Sequence, residues 1–596
     1  MIFQRRLAVA ILVLASLSAS VSRLRAQSAE PQEIPRPIPP GAQHMIVMNS
    51  GDPAVTAEEI WADAGPYYSA NDFEHAMPLY KRFGELIEPY LLPDPARSTA
   101  DLAYGALDKK DFFRKYVQFM SNAYVVRKTL CERNDCLSDA WQMLEKMKAR
   151  LVRTQIVGAE LARLPAADHQ RVTALLTREK ELYLKPLRAE RTVRTQEEIA
   201  ALSAVHSQIN TALPSYRLLG SRVPAPEDVA KILAANEILL SFFYTDQSRT
   251  SYVWKLEHER KPELYPLVLS GTVKPDSALL IAYAEQVRRL LERGESLDCV
   301  KDDLALLSEA LLASAKLPKT GGRRRLIIAT DENLSVLPFH LLPFNGKPLS
   351  ESFDVTIVPS ATIFYLLRTR RLQEGAPRYA LQYVAFASPQ LQYGANEVRS
   401  VGGLFEAAQK HASDSATKSD IEAARDSIAS ARFLHFVSHN RSTGQPQGFY
   451  LDFSARGRDD GRLTSDDIAS LSNRAELVLL PACQTAARND PYAAQLGSEP
   501  TCGGAPTLVS PLPCICSIGE SFSNLSGSFF AAGSRRLLLT LWDIPDDQAT
   551  VQLMTRFVSG VQAGVTPERA LELAKIEVRR NFPQPGYWAG FVLAGD

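Results

Sequence analysis

Apolar residues along the 596-residue chain change their spacing near Ala235. From about Val55 to Ile209 they recur every three to four residues, the period of a helix with one buried face. The clearest unit begins at Ala64-Gly65-Pro66-Tyr67-Tyr68, turns at Ser69-Ala70-Asn71-Asp72, and continues through FEHAMPLYKRFGELI. In that second stretch Phe73, Ala76, Met77, Tyr80, Phe83 and Ile87 form one apolar face. Beyond Ala235, ILLSFFYTDQSRTSYVWKLE reads as two β runs joined by a polar turn, a hairpin. Ala278–Arg293 and Asp302–Lys316 return to the helical period. Short apolar runs then alternate with helical stretches. The runs are RLIIAT (325–330), DVTIVPS (354–360), LQYVAFAS (381–388), RFLHFVSH (432–439), ELVLLPAC (476–483) and RLLLTLW (536–542). The helical stretches include ATIFYLLRTRRL, 395–408 and SGSFFAAGS. Apolar strands alternating with helices predict a mainly parallel sheet flanked by helices, an α/β fold behind an all-α region.

The first helical pair resembles one tetratricopeptide repeat, with Pro78 inside its second helix as a departure. No second clean copy follows at a 34-residue period. LAYGALDKKDFFRKYVQFMSNAY is a candidate degenerate copy, and a plain helical hairpin explains the pattern equally well.

The N-terminus supplies an address. Arg5 and Arg6 precede an uncharged run from Leu7 to Ser22, shorter than the ~20 residues a membrane span needs. It suits a signal peptide over residues 1–26, cut after Ala26 or Ser20, with an uncleaved signal anchor as the competing reading. A proline-rich linker occupies 27–45. The mature chain is thus expected in the periplasm or outside the cell, with no stable membrane span.

Sixty-seven basic residues balance 67 acidic ones, which argues against bulk nucleic-acid binding. Export permits disulfides, and seven cysteines leave one over. Cys131 and Cys136 are close enough to bridge, Cys502, Cys514 and Cys516 crowd one loop, and Cys299 has no obvious partner.

In open α/β sheets the ligand crevice lies beyond the carboxyl ends of the strands. Two strand ends carry chemistry there: His439-Asn440 and Cys483-Gln484. If those strands are parallel neighbours, an imidazole and a thiol reach one sheet edge. A His beside a Cys stabilises the thiolate that attacks a carbonyl and then protonates the leaving amine. Backbone amides near Asn440 and Cys483 would form the oxyanion hole. The bland alternatives are a Cys that only fills core and a structural His. His435, inside the apolar run, is read as structural. A zinc site from His435, His439 and loop cysteines lacks a recognised ligand spacing, so no metal or other cofactor is expected.

Several stretches occur together in order: DENLSVLPFHLLP (331–343), IVPSATIFYLL (357–367), ANEVRSVGGLF (395–405), FLHFVSHN (433–440), LTSDDIASLSNRAELVLLPACQTA (463–486), GESFSNLSGSFFAAGSRRLLLTLWDIPDDQAT (519–550) and YWAGFVLAGD (587–596). This set resembles the CHAT domain, a caspase-like cysteine peptidase module often found behind tetratricopeptide repeats. The resemblance implies His439 as the catalytic His, Cys483 as the nucleophile, and a caspase-like fold. Three features depart from the pattern: Asn440 stands where the family usually has Gly, the loop 484–518 is expanded, and the exported address is unusual.

The domain reading is then a helical, tetratricopeptide-like region over 46–218 and a CHAT domain over 219–596. The expected function is thiol-dependent hydrolysis of a protein or peptide substrate, with the helical region binding a partner and gating the peptidase. The alternative is an inactive CHAT scaffold that serves protein–protein interaction. Asp331, Trp542 and Asp543 are the candidate substrate-binding residues, since carboxylates at a crevice rim favour a basic substrate residue. Turn and N-cap roles compete for these acids, above all for Asp546 and Asp547.

Overall fold

The computed structural model describes residues 53–93, 99–148, 150–188, 195–220, 222–244, 250–268, 277–319, 321–331, 334–375, 378–442, 449–455, 457, 459–481, 500–504 and 527–596. The signal segment and the proline-rich linker therefore lie outside the described residues. What is described falls within one compact unit, Ser50–Asp596.

The helical front begins with the hairpin that the spacing predicts. Helices Pro53–Ser69 and Phe73–Ile87 flank a turn in which Asn71 adopts φ 58°. Asp72 caps the second helix by accepting from the backbone N–H of His75. All six predicted face residues are buried, and the Tyr80 ring stacks on Phe119 at 3.7 Å between centroids. The candidate second repeat is different. Its residues lie in a single continuous helix, Thr99–Val126, with no internal turn to make a helical pair.

Among the described residues, eleven strands form one sheet. In chain order they are β1 (Glu237–Phe243), β2 (Tyr252–Glu257), β3 (Glu263–Pro266), β4 (Arg324–Ala329), β5 (Phe353–Val358), β6 (Leu381–Ala387), β7 (Lys410–Ser413), β8 (Ala431–Val437), β9 (Leu477–Leu479), β10 (Arg536–Thr540) and β11 (Phe591–Gly595). Their spatial order is β3-β2-β1-β4-β5-β11-β10-β9-β8-β6-β7. Along β1, β8 and β9 almost every residue is buried, as covering on both faces requires.

The predicted hairpin is present as β1 and β2, antiparallel with Leu240 opposite Lys255. The later predicted runs are strands too, within a residue or two at their ends, except ELVLLPAC (476–483), of which the strand takes Leu477–Leu479 and whose last two residues lie outside the described ones. Strands β3, β7 and β11 are additional. The last of these decides the geometry. β11 runs parallel to β5 but antiparallel to β10, while β10, β9, β8 and β6 run parallel to one another. Apart from β2, which runs antiparallel to β1 and β3, the sheet is therefore two parallel halves of opposite sense. The carboxyl ends of β4 and β5 open on one edge, and those of β6, β8, β9 and β10 open on the other.

The helical front is joined to the first of these edges by buried charge. Lys148 Nζ donates to Ser241 Oγ and the Ala329 carbonyl, both at 2.9 Å. Glu145 accepts from Ser241 Oγ and from the Thr362 N–H at the start of helix Ala361–Glu374.

Cysteine pairing differs from the sequence expectation. Cys299 is bonded to Cys502. Cys131 and Cys136 are buried free thiols that share a side-chain hydrogen bond. That bond and burial push Cys131 up, whereas the same bond and the Lys81 charge lower Cys136. Cys514 and Cys516 lie outside the described residues.

Candidate active site

β8 and β9 are parallel neighbours, with Phe433, Leu434 and His435 opposite Leu477, Val478 and Leu479. The condition set by the strand-end argument is thus met. His439 and Cys483 each stand four residues beyond the last register pair, His435 with Leu479. Cys483 itself lies outside the described residues. On the same edge are the segment 388–393 after β6 and the segment from Leu541 after β10.

The chain does not continue straight out of β8. At His439 it enters a small antiparallel ribbon of His439–Ser442, Phe449–Asp452 and Arg462–Thr464. His439 pairs with Asp452, Asn440 with Leu451, and Asp452 in turn with Arg462. Side chains alternate along a strand. Asn440, Leu451 and Leu463 accordingly take the buried face, and His439, Arg441, Asp452 and Arg462 the other. The Ser438 hydroxyl locks the entry to the ribbon by donating to the Asp452 carbonyl at 2.8 Å. Asn440 is therefore extended backbone in a ladder, and it draws on no left-handed tolerance.

Asp452 was not legible as a site residue, because its neighbour His439 lies across a strand pair that no local pattern announces. Its carboxylate is held by Arg441 Nε and by Gln390 Nε2, the latter at 3.2 Å. Gln390 comes from the segment after β6, so this acid ties two walls of the edge together.

His435 is structural, as the sequence suggests. Its Nδ1 lies 2.7 Å from Tyr383 Oη and its Nε2 2.8 Å from Glu397 Oε1. Burial, then the Glu397 charge, raises the Tyr383 phenol well above its ordinary range, so that phenol keeps its proton. Tyr383 O–H therefore donates to Nδ1, and Nε2–H donates to Glu397. Both ring nitrogens of His435 are thereby committed away from the edge.

The three substrate-binding candidates separate. Asp331 is corrected on two counts. It stands two residues beyond the end of β4, so the reversal at β10/β11 puts it on the sheet edge opposite His439. It is also buried, with Oδ2 and Oδ1 each 2.7 Å from the Arg114 guanidinium and Oδ2 3.0 Å from the Tyr244 N–H. Burial alone would raise this carboxyl, but Arg114 overrides it and holds it at about 2. Trp542 is on the site edge but fully buried, its indole N–H donating to Gly586 O at 3.2 Å. Asp543 is half-buried there, its N–H donating to Glu292 Oε1 at 3.3 Å.

The two acids after it have structural tasks. Asp546 accepts from the backbone amides of Gln392 and Tyr393, and Asp547 caps helix Gln548–Gln562 through Ala549 and Thr550.

The described part of the expanded loop, 500–504, is fastened to the neighbouring helical layer. Cys502 bonds Cys299, and the Gly504 carbonyl accepts from Gln286 Nε2 at 2.9 Å.

Among solved structures, two crystal structures of the Saccharomyces cerevisiae separase–securin complex are similar to this chain at 10% identity, with a TM-score of 0.36 in each case. The similarity covers 91% of this chain and 47% of that one, so the chain spans about half the matched chain's length. No curated protein matches. Residues 301–596 match the family model of the CHAT domain, and the C-terminal half of this chain is a CHAT domain.

Proposed function

We propose that the protein is an exported cysteine endopeptidase of the CHAT type. Cys483 is the nucleophile, and His439 is the general acid and base. The single observation that supports this reading is the parallel pairing of β8 with β9, which points the carboxyl ends of both strands to one sheet edge. In the first step His439 draws the proton from Cys483 Sγ, and the thiolate adds to the substrate carbonyl. The oxyanion is met by backbone amides at Asn440 and Cys483. Collapse of the tetrahedral adduct sends the proton from His439 to the leaving amine. Water, activated by the same imidazole, then releases the acyl group and regenerates the thiol.

Asp543 is the carboxylate we assign to a basic substrate residue, with Trp542 as the buried wall behind it. The Cys299–Cys502 bond supports the exported address, since disulfides persist in oxidising compartments. The helical front serves as the surface for a protein partner.

The deciding comparison is cleavage of self and of Arg/Lys-containing peptides by wild type, Cys483→Ala and His439→Ala. Both variants should fall to background while keeping the wild-type fold. Equal rates in all three proteins would make the chain an inactive CHAT scaffold.

A further inference from the structure

Asp452 stands opposite His439 in the ribbon, on the same face and in the same row as Arg462. Directly opposite residues on antiparallel strands keep their Cβ atoms only ~4.5–5.5 Å apart. The carboxylate is not a loose surface acid. Its side chain is 16% exposed, Arg441 Nε holds Oδ2, and Gln390 Nε2 holds Oδ1. Arg441 lies on the same face two residues beyond His439, and Arg462 packs over the Tyr450 ring at 5.2 Å. Around His439 the ribbon thus presents one carboxylate and two guanidiniums, fixed by ladder pairing and not by flexible stems alone.

We propose that Asp452 is a positioning residue for His439, and that the Arg441–Asp452 pair sets the pH at which the imidazole changes charge. The carboxylate favours the imidazolium that forms when the thiol is deprotonated, and Arg441 and Arg462 oppose it. The pair holds the balance between a base able to take the thiol proton and an acid able to return it. Gln390 couples this balance to the segment after β6, because a movement of that wall would release the carboxylate. The inference rests on the reading of His439 as the general acid and base, but its test does not require activity.

The test is a histidine-selective 13C NMR titration of the full chain, with the His439 resonance assigned by His439→Gln. Asp452→Asn keeps the size and the oxygen that Gln390 reaches, and removes only the charge. At an effective dielectric between protein surface and water, one charge at this range moves a titration by about 0.5–1 unit. Asp452→Asn should lower the His439 pKa by that amount, and Arg441→Gln should raise it. Unchanged values in both variants, or shifts of the same sign, would overturn the assignment. Where peptide cleavage is measurable, the acid limb of its pH profile should move with the NMR value in each variant. An inactive wild type whose His439 still shifts in both directions would refute the peptidase reading and leave the positioning role standing.

Discussion

His340 and Asp331 show two ways in which single buried residues make stability fall as the solution is acidified. His340 is buried and its Nε2 has no hydrogen-bond partner among the described residues. Burial, with the Lys575 charge adding to it, lowers the imidazole to about 3. The unfolded chain takes up the proton near 6.5, so the native state loses stability as pH falls from there toward 3. His340→Met should flatten that slope, read as urea midpoints at pH 7 and pH 5. A slope equal to wild type would mean that another group carries the dependence. Asp331 acts lower on the scale. Its folded value of about 2 lies below the usual ~3.9, so its stabilisation is present above pH 4 and is lost between about 4 and 2. Asp331→Ala leaves the Arg114 guanidinium poorly compensated and should cost about 3–5 kcal/mol by chemical denaturation at pH 7. A loss below 1 kcal/mol would refute the buried-pair description. The sequence places Asp331 directly after the run RLIIAT, and the strand does end just before it, at Ala329. Which edge that strand faces depends on β11, which begins 55 residues after the last predicted strand does, at Phe591 against Arg536, and local pattern does not carry such information.

Among the elements, the strands were legible because their apolar runs are short, bounded and almost wholly buried. The ribbon was not, because its three- and four-residue strands pair across gaps and carry too few residues for a period to show. Its closure depends on one glycine. Gly461 has φ +73°, and a Cβ there would stand 2.0 Å from the Phe453 carbonyl oxygen. The Phe453 N–H in turn donates to the Gly461 carbonyl at 2.8 Å. Gly461→Ala must open this turn, next to the strand that carries Asp452. We expect a destabilisation of about 1–3 kcal/mol and a loss of any His439-dependent activity larger than the stability change explains. Thermal unfolding alongside peptide cleavage distinguishes the two effects, and a variant with wild-type values in both would show that the ribbon is not shaped by this residue.

At the scale of the whole molecule, the helical front is built into the sheet. Arg114, Glu145 and Lys148 place their charged groups at the carboxyl edge of β1 and β4, and β1 itself pairs with β4 from Glu237–Arg325 to Ser241–Ala329. Residues 301–596 alone would therefore expose the β4 edge and leave Asp331 unpaired. That fragment should aggregate or lack near-ultraviolet dichroism, whereas 50–596 should be monodisperse and ordered. A well-folded 301–596 would contradict the coupling. The change of apolar spacing pointed to two regions, and the charge balance gave no hint that three front-half charges pack against the sheet edge.

The Cys299–Cys502 bond ties the loop after Cys483 to a helical layer 203 residues away in sequence. Its reduction, or Cys299→Ser, should lower stability by about 2–5 kcal/mol. Equal unfolding curves with and without reductant would show the bond to be dispensable.

The central assignment, a thiol at Cys483 activated by His439, is tested most directly by the rate of alkylation of Cys483. Iodoacetamide modification followed by peptide mass mapping reads that rate residue by residue, in wild type and in His439→Ala, from pH 5 to pH 9. The expected result is fast labelling of Cys483 at neutral pH in wild type. In His439→Ala the labelling should become at least tenfold slower and follow an ordinary thiol near 8.5. A Cys483 found in a disulfide, or labelled equally fast in both proteins, would contradict the dyad.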